Sequence, residues 1–235
     1  MRNTGDVTAP NISFPADWSG FIEFEMVENS GGVTKDSGDM CCPYDSPSCE
    51  LAYNQMSEYH YYDYTNQRLR IEQVGVDDDV QVVDFRGLKS MKVFNVSGEE
   101  TCVEYCPLDP RAKLERFFYF PKEDPIHDEG ETSWHGKRAH EYKWYDTILD
   151  HSIVITSYTL FVDETSKAKG GARPLEQYTD LTPFNSSKLE RQRKTWKSFT
   201  PGVRASKFDI KGESNCPRAK NCNNDEHAWA RRRYY

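Results

Sequence analysis

Apolar and polar positions alternate along this chain in short stretches, and few segments keep a helical period. Phe21–Val27 (FIEFEMV) places Ile22, Phe24 and Met26 on one side and Phe21, Glu23, Glu25 and Val27 on the other, the pattern of a half-buried strand. Gln55–Asp63 holds a tyrosine-rich run, Asp63–Gln67 reads as a turn, and Arg68–Val74 alternates again with Leu69 and Ile71 inward, which predicts a hairpin. Asp77–Asp79 predicts the next turn, followed by a strand pair at Val80–Phe85 and Met91–Val96 with Gly87 at its bend. Thr101–Tyr105 and the aromatic Glu115–Phe120 are further strand candidates, and Pro121–Thr132 reads as an acidic loop. Gly136–Tyr145 and Ile153–Val162 predict two strands joined near Asp146–Asp150, with another at Pro174–Tyr178. Lys188–Lys197 (KLERQRKTWK) is the best helix candidate, and Phe199–Ile210 follows with a Pro-Gly turn.

Short strands at this spacing predict a mainly β fold: two stacked, curved antiparallel sheets as a half-barrel or sandwich, with one or two short helices. No compositional break divides residues 18–222, so they read as one domain between an extended N-terminal tail (1–17) and a basic C-terminal tail (223–235).

Composition narrows the classes. The 235 residues are 37% hydrophobic and 13% aromatic, and disordered chains are poor in aromatics, so a folded core is expected. A net charge of −8 argues against general nucleic-acid binding. The longest apolar run, near Ile153–Ile155, is far too short for a transmembrane helix.

Seven cysteines stand at Cys41, Cys42, Cys49, Cys102, Cys106, Cys216 and Cys222. Asn-x-Ser sequons occur at Asn11, Asn95 and Asn185. Sequons together with clustered cysteines favour a secreted or secretory-lumen glycoprotein with disulfides. Met1–Asp17 lacks the apolar region of a signal peptide, so an exported chain is read here as a mature form. The odd cysteine count leaves one thiol outside the intramolecular bonds, and spacing alone does not assign the partners. Zinc competes at Cys102-x3-Cys106 and Cys216-x5-Cys222, but tight CxxC pairs are missing and an exported site would need reduced thiols.

The order of several local patterns then resembles the ependymin-related family of secreted glycoproteins. They are Trp18-Ser-Gly20 before a strand, Tyr62-Asp63-Tyr64 with Arg68-Leu69-Arg70-Ile71, and the strand from Val93 to Cys102. Gly136 to Trp144, Tyr158 to Asp163, and Ser198-Phe-Thr-Pro-Gly202 with Phe208-Asp-Ile210 and Cys216 complete the order. The spacing from Ile210 to Cys216, the Cys41–Cys42 doublet, Cys106 and Cys222 depart from the family pattern, so its disulfide map does not carry over. The resemblance implies a two-sheet fold similar to LolA-type lipoprotein carriers, a pocket for a hydrophobic ligand, calcium binding and homodimers, without a catalytic reaction.

Pocket candidates are Phe24, Tyr61, Phe85, Phe94, Phe118, Phe120, Trp144 and Tyr158, against the alternative that these rings only pack the core. Asp77, Asp78 and Asp79 are weak calcium candidates, because their spacing matches no EF-hand loop. The six histidines fall in no HExxH, G-x-S-x-G or P-loop pattern, so no enzyme and no organic cofactor are expected. The expected partners are a hydrophobic small molecule or lipid and a second copy; the alternative is a structural or adhesive subunit of an extracellular assembly.

Overall fold

A computed structural model of the chain describes residues 12–29, 50–75, 80–96, 99–118, 126–144, 148–150, 153–163, 171–183, 190–220 and 222. Its strands are β1 (Asp17–Asn29), β2 (Glu50–Asp63), β3 (Arg68–Val74), β4 (Val80–Asp84), β5 (Lys89–Val96) and β6 (Glu99–Pro107). There follow β7 (His127–Trp134), β8 (Lys137–Trp144), β9 (Ile148–Asp150), β10 (Ile153–Asp163), β11 (Arg173–Pro183) and β12 (Glu190–Pro201). Two short 3-10 turns, Ala205–Phe208 and Glu213–Asn215, are the helical elements among the described residues.

The fold is mainly antiparallel β, as expected. One continuous hydrogen-bonded path joins the strands in the order β6-β5-β4-β3-β2-β1-β12-β11-β10-β8-β7, with β9 paired to β10 beside it. The path is not closed: β6 and β7 are its ends.

The chain divides into two compact units. One holds Phe14–Ile22, Ser57–Tyr119 and Ser198–Tyr235; the other holds Met1–Ser13, Glu23–Met56 and Phe120–Lys197. Strands β1, β2 and β12 contribute to both.

In the first unit, register fixes two faces. His60 lies opposite Ile71 and Tyr62 opposite Leu69, with Val83 next across the sheet, so these residues share one face. Tyr61 lies opposite Arg70, which faces Val82, which faces Met91; these share the other face. In β6 the register slips: Lys92 pairs with Glu104 but Val93 pairs with Cys102, which leaves Val103 as an extra residue. Cys106 therefore sits on the face of Ser90 and Cys102 on the face of Val93. Residues four apart in a regular strand would share a face.

In the second unit, β10 is central to a ladder with β8 and β11, and β11 pairs on with β12. Ala139, Phe161, Leu175 and Tyr178 form its apolar cluster, with Trp134 packed against them.

Three sequence expectations are corrected. Of the helix expected over Lys188–Lys197, residues 190–197 are strand instead, within β12 (Glu190–Pro201). Its long basic side chains meet acids across the sheet: Arg193 Nε donates to Glu25 at 2.6 Å and Lys197 stands 3.0 Å from Glu23. Tertiary pairing here outweighs a helix-favouring composition. The acidic loop expected over Pro121–Thr132 contains most of strand β7, held by its register with β8. Residues 115–118 of the aromatic Glu115–Phe120 run are not a strand; Phe118 has φ of 47° and the segment lies over a sheet face instead. Asp77, Asp78 and Asp79, together with Cys41, Cys42, Cys49, Asn11, Asn185 and Phe120, fall outside the described residues.

Candidate functional site

The first unit carries a layer of aromatic rings on the Tyr62 face. Trp18, fully buried, is stacked on Tyr62 with centroids 5.5 Å apart and on Phe199 at 5.0 Å, and lies tilted against Phe117 at 4.5 Å. Phe14 meets Phe117 at 5.6 Å and Phe118 at 5.0 Å. Such contacts add to the burial of large apolar surfaces.

Strands β1, β2 and β12 supply the floor, and the segment from Leu108 to Phe118 supplies the cover. Gly20 explains how β1 fits there: a Cβ at this position would lie 2.5 Å from the Ser198 carbonyl oxygen. Hydrogen bonds tie the cover to the turns beneath it. Leu108 N–H donates to Leu88 O at 2.9 Å, and Gln67 clamps Leu114 by accepting from its N–H at 3.0 Å and donating to its carbonyl at 3.3 Å. Both Gln67 (φ 59°) and Leu88 (φ 53°) occupy left-handed positions in the turns ahead of β3 and β5. The Tyr62 hydroxyl donates to the Glu115 carbonyl oxygen. Burial first, then Glu115 and Tyr64, push the Tyr62 phenol far above its ordinary range, so it remains a neutral donor.

Within this apolar layer lies a buried ionisable pair. Glu58 and His60, both at 0% exposure, project from β2 on the Tyr62 face with Oε2 and Nε2 2.7 Å apart, and Trp18 stacks on His60 at 6.3 Å. A buried pair is weak support for stability, while ionisable groups in apolar surroundings mark candidate functional positions. Trp18 Nε1 has no hydrogen-bond partner among the described residues.

The opposite face carries the closing segment. Phe208 and Ile210 pack on Val82, Met91, Val93 and Cys102. Arg68 lies over the Phe208 ring at 4.3 Å and is paired with Asp63 at 2.8 Å. Arg70, 1% exposed, donates to Glu72 at 2.7 Å, to both carboxylate oxygens of Glu100 and to the Lys207 carbonyl at 2.9 Å. Desolvation works against its charge, but the hydrogen bonds and charges of Glu100 and Glu72 outweigh it and raise its pKa. The Glu100 carboxyl is held below its ordinary range by its Arg70 hydrogen bond, against a smaller desolvation effect. The Arg-x-Arg strand and the Phe-x-Ile element, far apart in sequence, are thus one interlock.

Beyond Ile210 the chain runs along β6. Cys102 N–H donates to Lys211 O at 3.2 Å, Tyr105 N–H to Pro217 O at 2.9 Å, and Ala219 N–H to Tyr105 O at 2.9 Å. Disulfides Cys102–Cys216 and Cys106–Cys222 staple it there. These pairings settle the disulfide reading over zinc for these four residues.

The described pocket candidates are distributed over both units. In the first unit, Phe118 is half-buried against Phe14 and Phe117, whereas Tyr61 lies on the opposite face beneath Lys207 Nζ at 4.5 Å. Phe85 lies in the turn after β4, and Phe94 is half-buried beneath Lys92 at 5.4 Å. In the second unit, Phe24 is buried under Lys194 at 5.3 Å, and half-buried Trp144 lies opposite Tyr158 in the β8–β10 register. Trp18, Glu58, His60, Tyr62 and Phe199 were not among the pocket candidates. The available signal was the Glu58-x-His60-x-Tyr62 alternation, whose first two members look like a solvent face.

These features define a mainly antiparallel β protein with an unclosed sheet, one edge stapled shut and one face roofed by a phenylalanine-bearing segment. No protein-family model and no curated protein matches the chain. Solved structures align at low identity. An uncharacterized conserved protein from Thermus thermophilus aligns with a TM-score of 0.43 and 8% identity, over 88% of this chain and 92% of that one. A putative outer membrane lipoprotein-sorting protein domain from Vibrio parahaemolyticus gives 0.27 and 8%, over 83% and 89%. MucB in complex with MucA(peri) gives 0.40 and 12%, over 87% of this chain and 57% of that one.

Proposed function

We propose that the chain is a secreted, disulfide-bonded binding protein that holds a hydrophobic, lipid-like ligand against the Trp18 face of its sheet. The observation that carries this reading is the nature of the cover. Phe117 and Phe118 reach the aromatic layer from an irregular segment rather than from a strand, so a ligand can take their place without opening the strand ladder. Apolar walls with a few polar groups are the usual composition of such sites, and Glu58, His60 and Trp18 Nε1 supply the polar part. Bond chemistry forms no part of this reading.

Secretion fits the long-range disulfides, and the exposed position of Asn95 at the end of β5 fits a glycan there. Calcium at Asp77–Asp79, glycans at Asn11 and Asn185, and a homodimer belong to the same reading, which the ependymin resemblance motivated. The alternative, a subunit of an extracellular assembly, is favoured by one observation: β7 ends the strand order with mostly exposed residues.

The test is native mass spectrometry of protein purified from its source, followed by denaturation and organic extraction. The carrier reading expects a releasable lipid-sized mass. Polypeptide and glycan mass alone, in oligomers that separate on reduction, would overturn it in favour of the assembly subunit.

A further inference from the structure

The second unit contains a buried carboxylate with little to neutralise it. Glu176, 3% exposed, accepts one hydrogen bond at Oε2, from Thr195 Oγ1 at 3.2 Å. The half-exposed His135 is 3.7 Å from that same oxygen. Oε1 is buried and has no hydrogen-bond partner among the described residues. Of the nearby cations, Arg193 is paired with Glu25 and also acts on the Tyr178 hydroxyl, and Lys143 is paired with Glu141. A carboxylate removed from water is costly unless a donor or positive charge meets it.

Its surroundings are aromatic. Phe161 lies directly opposite Glu176 in the β10–β11 register, and Thr195 opposite it on β12. Tyr178, two residues along β11, meets the Phe161 ring edge-on with centroids 6.3 Å apart. Trp134 packs against this cluster from the end of β7, and its buried Nε1 also has no partner among the described residues. The strands are irregular at this point. Phe161 pairs with Glu176 but Val162 pairs with Pro174, so Leu175 is an extra residue, and bulges of this kind re-aim side chains. Burial, then the Glu176 charge, raise the Tyr178 pKa, so its phenol is neutral and offers a ring and a dipole.

We propose that Glu176, Trp134, Phe161 and Tyr178 form a binding site for an organic ammonium group. The carboxylate supplies the counter-charge and a charge-assisted acceptor, and the ring faces supply cation–π attraction. His135, at the two-residue turn between β7 and β8, stands beside the carboxylate on the exposed side, where an entering ammonium takes over its contact. The site uses none of the Trp18-layer residues and does not rest on the carrier reading.

Three probes share one body and differ in charge: phenethylammonium, phenethyl alcohol and phenylacetate. Each is titrated into the full, oxidised chain by calorimetry, while the Trp134 indole N–H is followed by NMR. Phenethylammonium is expected to bind about tenfold or more tighter than the alcohol, and phenylacetate weakest, since a charge-assisted bond is worth that much. Glu176→Gln should abolish the preference and leave the alcohol unaffected. Phe161→Leu, which keeps the site apolar, should weaken the ammonium several-fold more than the alcohol. Thermal melts of both variants check that they fold. Equal affinities for the three probes, absence of binding by all three, or a preference that survives Glu176→Gln would each overturn the proposal. The lipid extraction above reads other residues, so either idea fails without the other.

Discussion

At Gly20, the absence of a side chain sets how closely β1 passes Ser198. A methyl group there would press on a backbone oxygen, which has no rotamer to yield. Gly20→Ala is therefore expected to destabilise the fold by about 1–3 kcal/mol, measured by urea denaturation; an unchanged midpoint would mean the strands are not this close. Arg70 is the other decisive residue. Arg70→Ala leaves Glu100, Glu72 and the Lys207 carbonyl without their shared donor. Breaking a fully buried pair costs about 3–5 kcal/mol, and because Glu100 and Glu72 keep some water the loss here is expected near ~2–3 kcal/mol. The Glu100 shift also has a pH consequence. Its folded-state pKa lies below the unfolded value, so its stabilising effect is present above the ordinary carboxylate range and is lost as pH falls through the folded value. Melting temperatures between pH 7 and pH 2 should drop more for the parent chain than for Glu100→Gln; parallel curves would remove Glu100 from the account.

Among the elements, the hairpins from β2 to β5 were legible because alternation, turn residues and burial agree there. Asp84 is an example: it ends β4 and accepts from the N–H groups of Arg86 at 3.0 Å and Gly87 at 2.9 Å. Strand β12 was not legible. Its alternating residues are nearly all long and polar, and only the acids of β1 and β11 beside it give them a strand's partners. Strand β7 was hidden for a similar reason, as an exposed edge strand has no apolar side to announce it. The Trp18 layer was half legible: Trp18 and Phe117 stood out as aromatics, but the burial of Glu58 and His60 depends on a cover whose sequence reads as a strand. For the closing segment, the expectation concerns covalency. Each disulfide closes a loop of more than a hundred residues, at separations of 114 and 116. Replacing either pair by alanine is expected to cost about 2–5 kcal/mol, read from thermal or denaturant unfolding of the oxidised variants. A variant as stable as the parent would show that strand pairing and the Arg70 interlock hold the segment unaided.

At the scale of the whole molecule, the two ends of the strand path are treated differently. The β6 end is lined by the chain's own closing segment, while β7 is left to its acidic residues and to a bulge between Asp128 and Gly130, both recognised protections against edge pairing. Removing the acids, as in Asp128→Asn with Glu129→Gln and Glu131→Gln, should raise the concentration-dependent oligomer fraction in sedimentation experiments; an unchanged fraction would show that charge does not guard this edge. The extra residue at Val103 governs one further event, which thiols meet. Cys102 and Cys106 precede their partners Cys216 and Cys222 by 114 and 116 residues, and once β6 has formed, residues four apart along it stand about 13 Å from each other, too far to bond, so both wait for the closing segment. By turning them to opposite sides of the sheet, the bulge sorts the late cysteines, each meeting the thiol on its own side. The slip in register thus sorts the thiols by side, and deleting Val103 together with Glu104, which leaves the two cysteines two apart and on one side, should yield Cys102–Cys222 and Cys106–Cys216 isomers on oxidative refolding, visible in non-reduced digests, whereas deleting Val103 alone, which keeps them on opposite sides, should not.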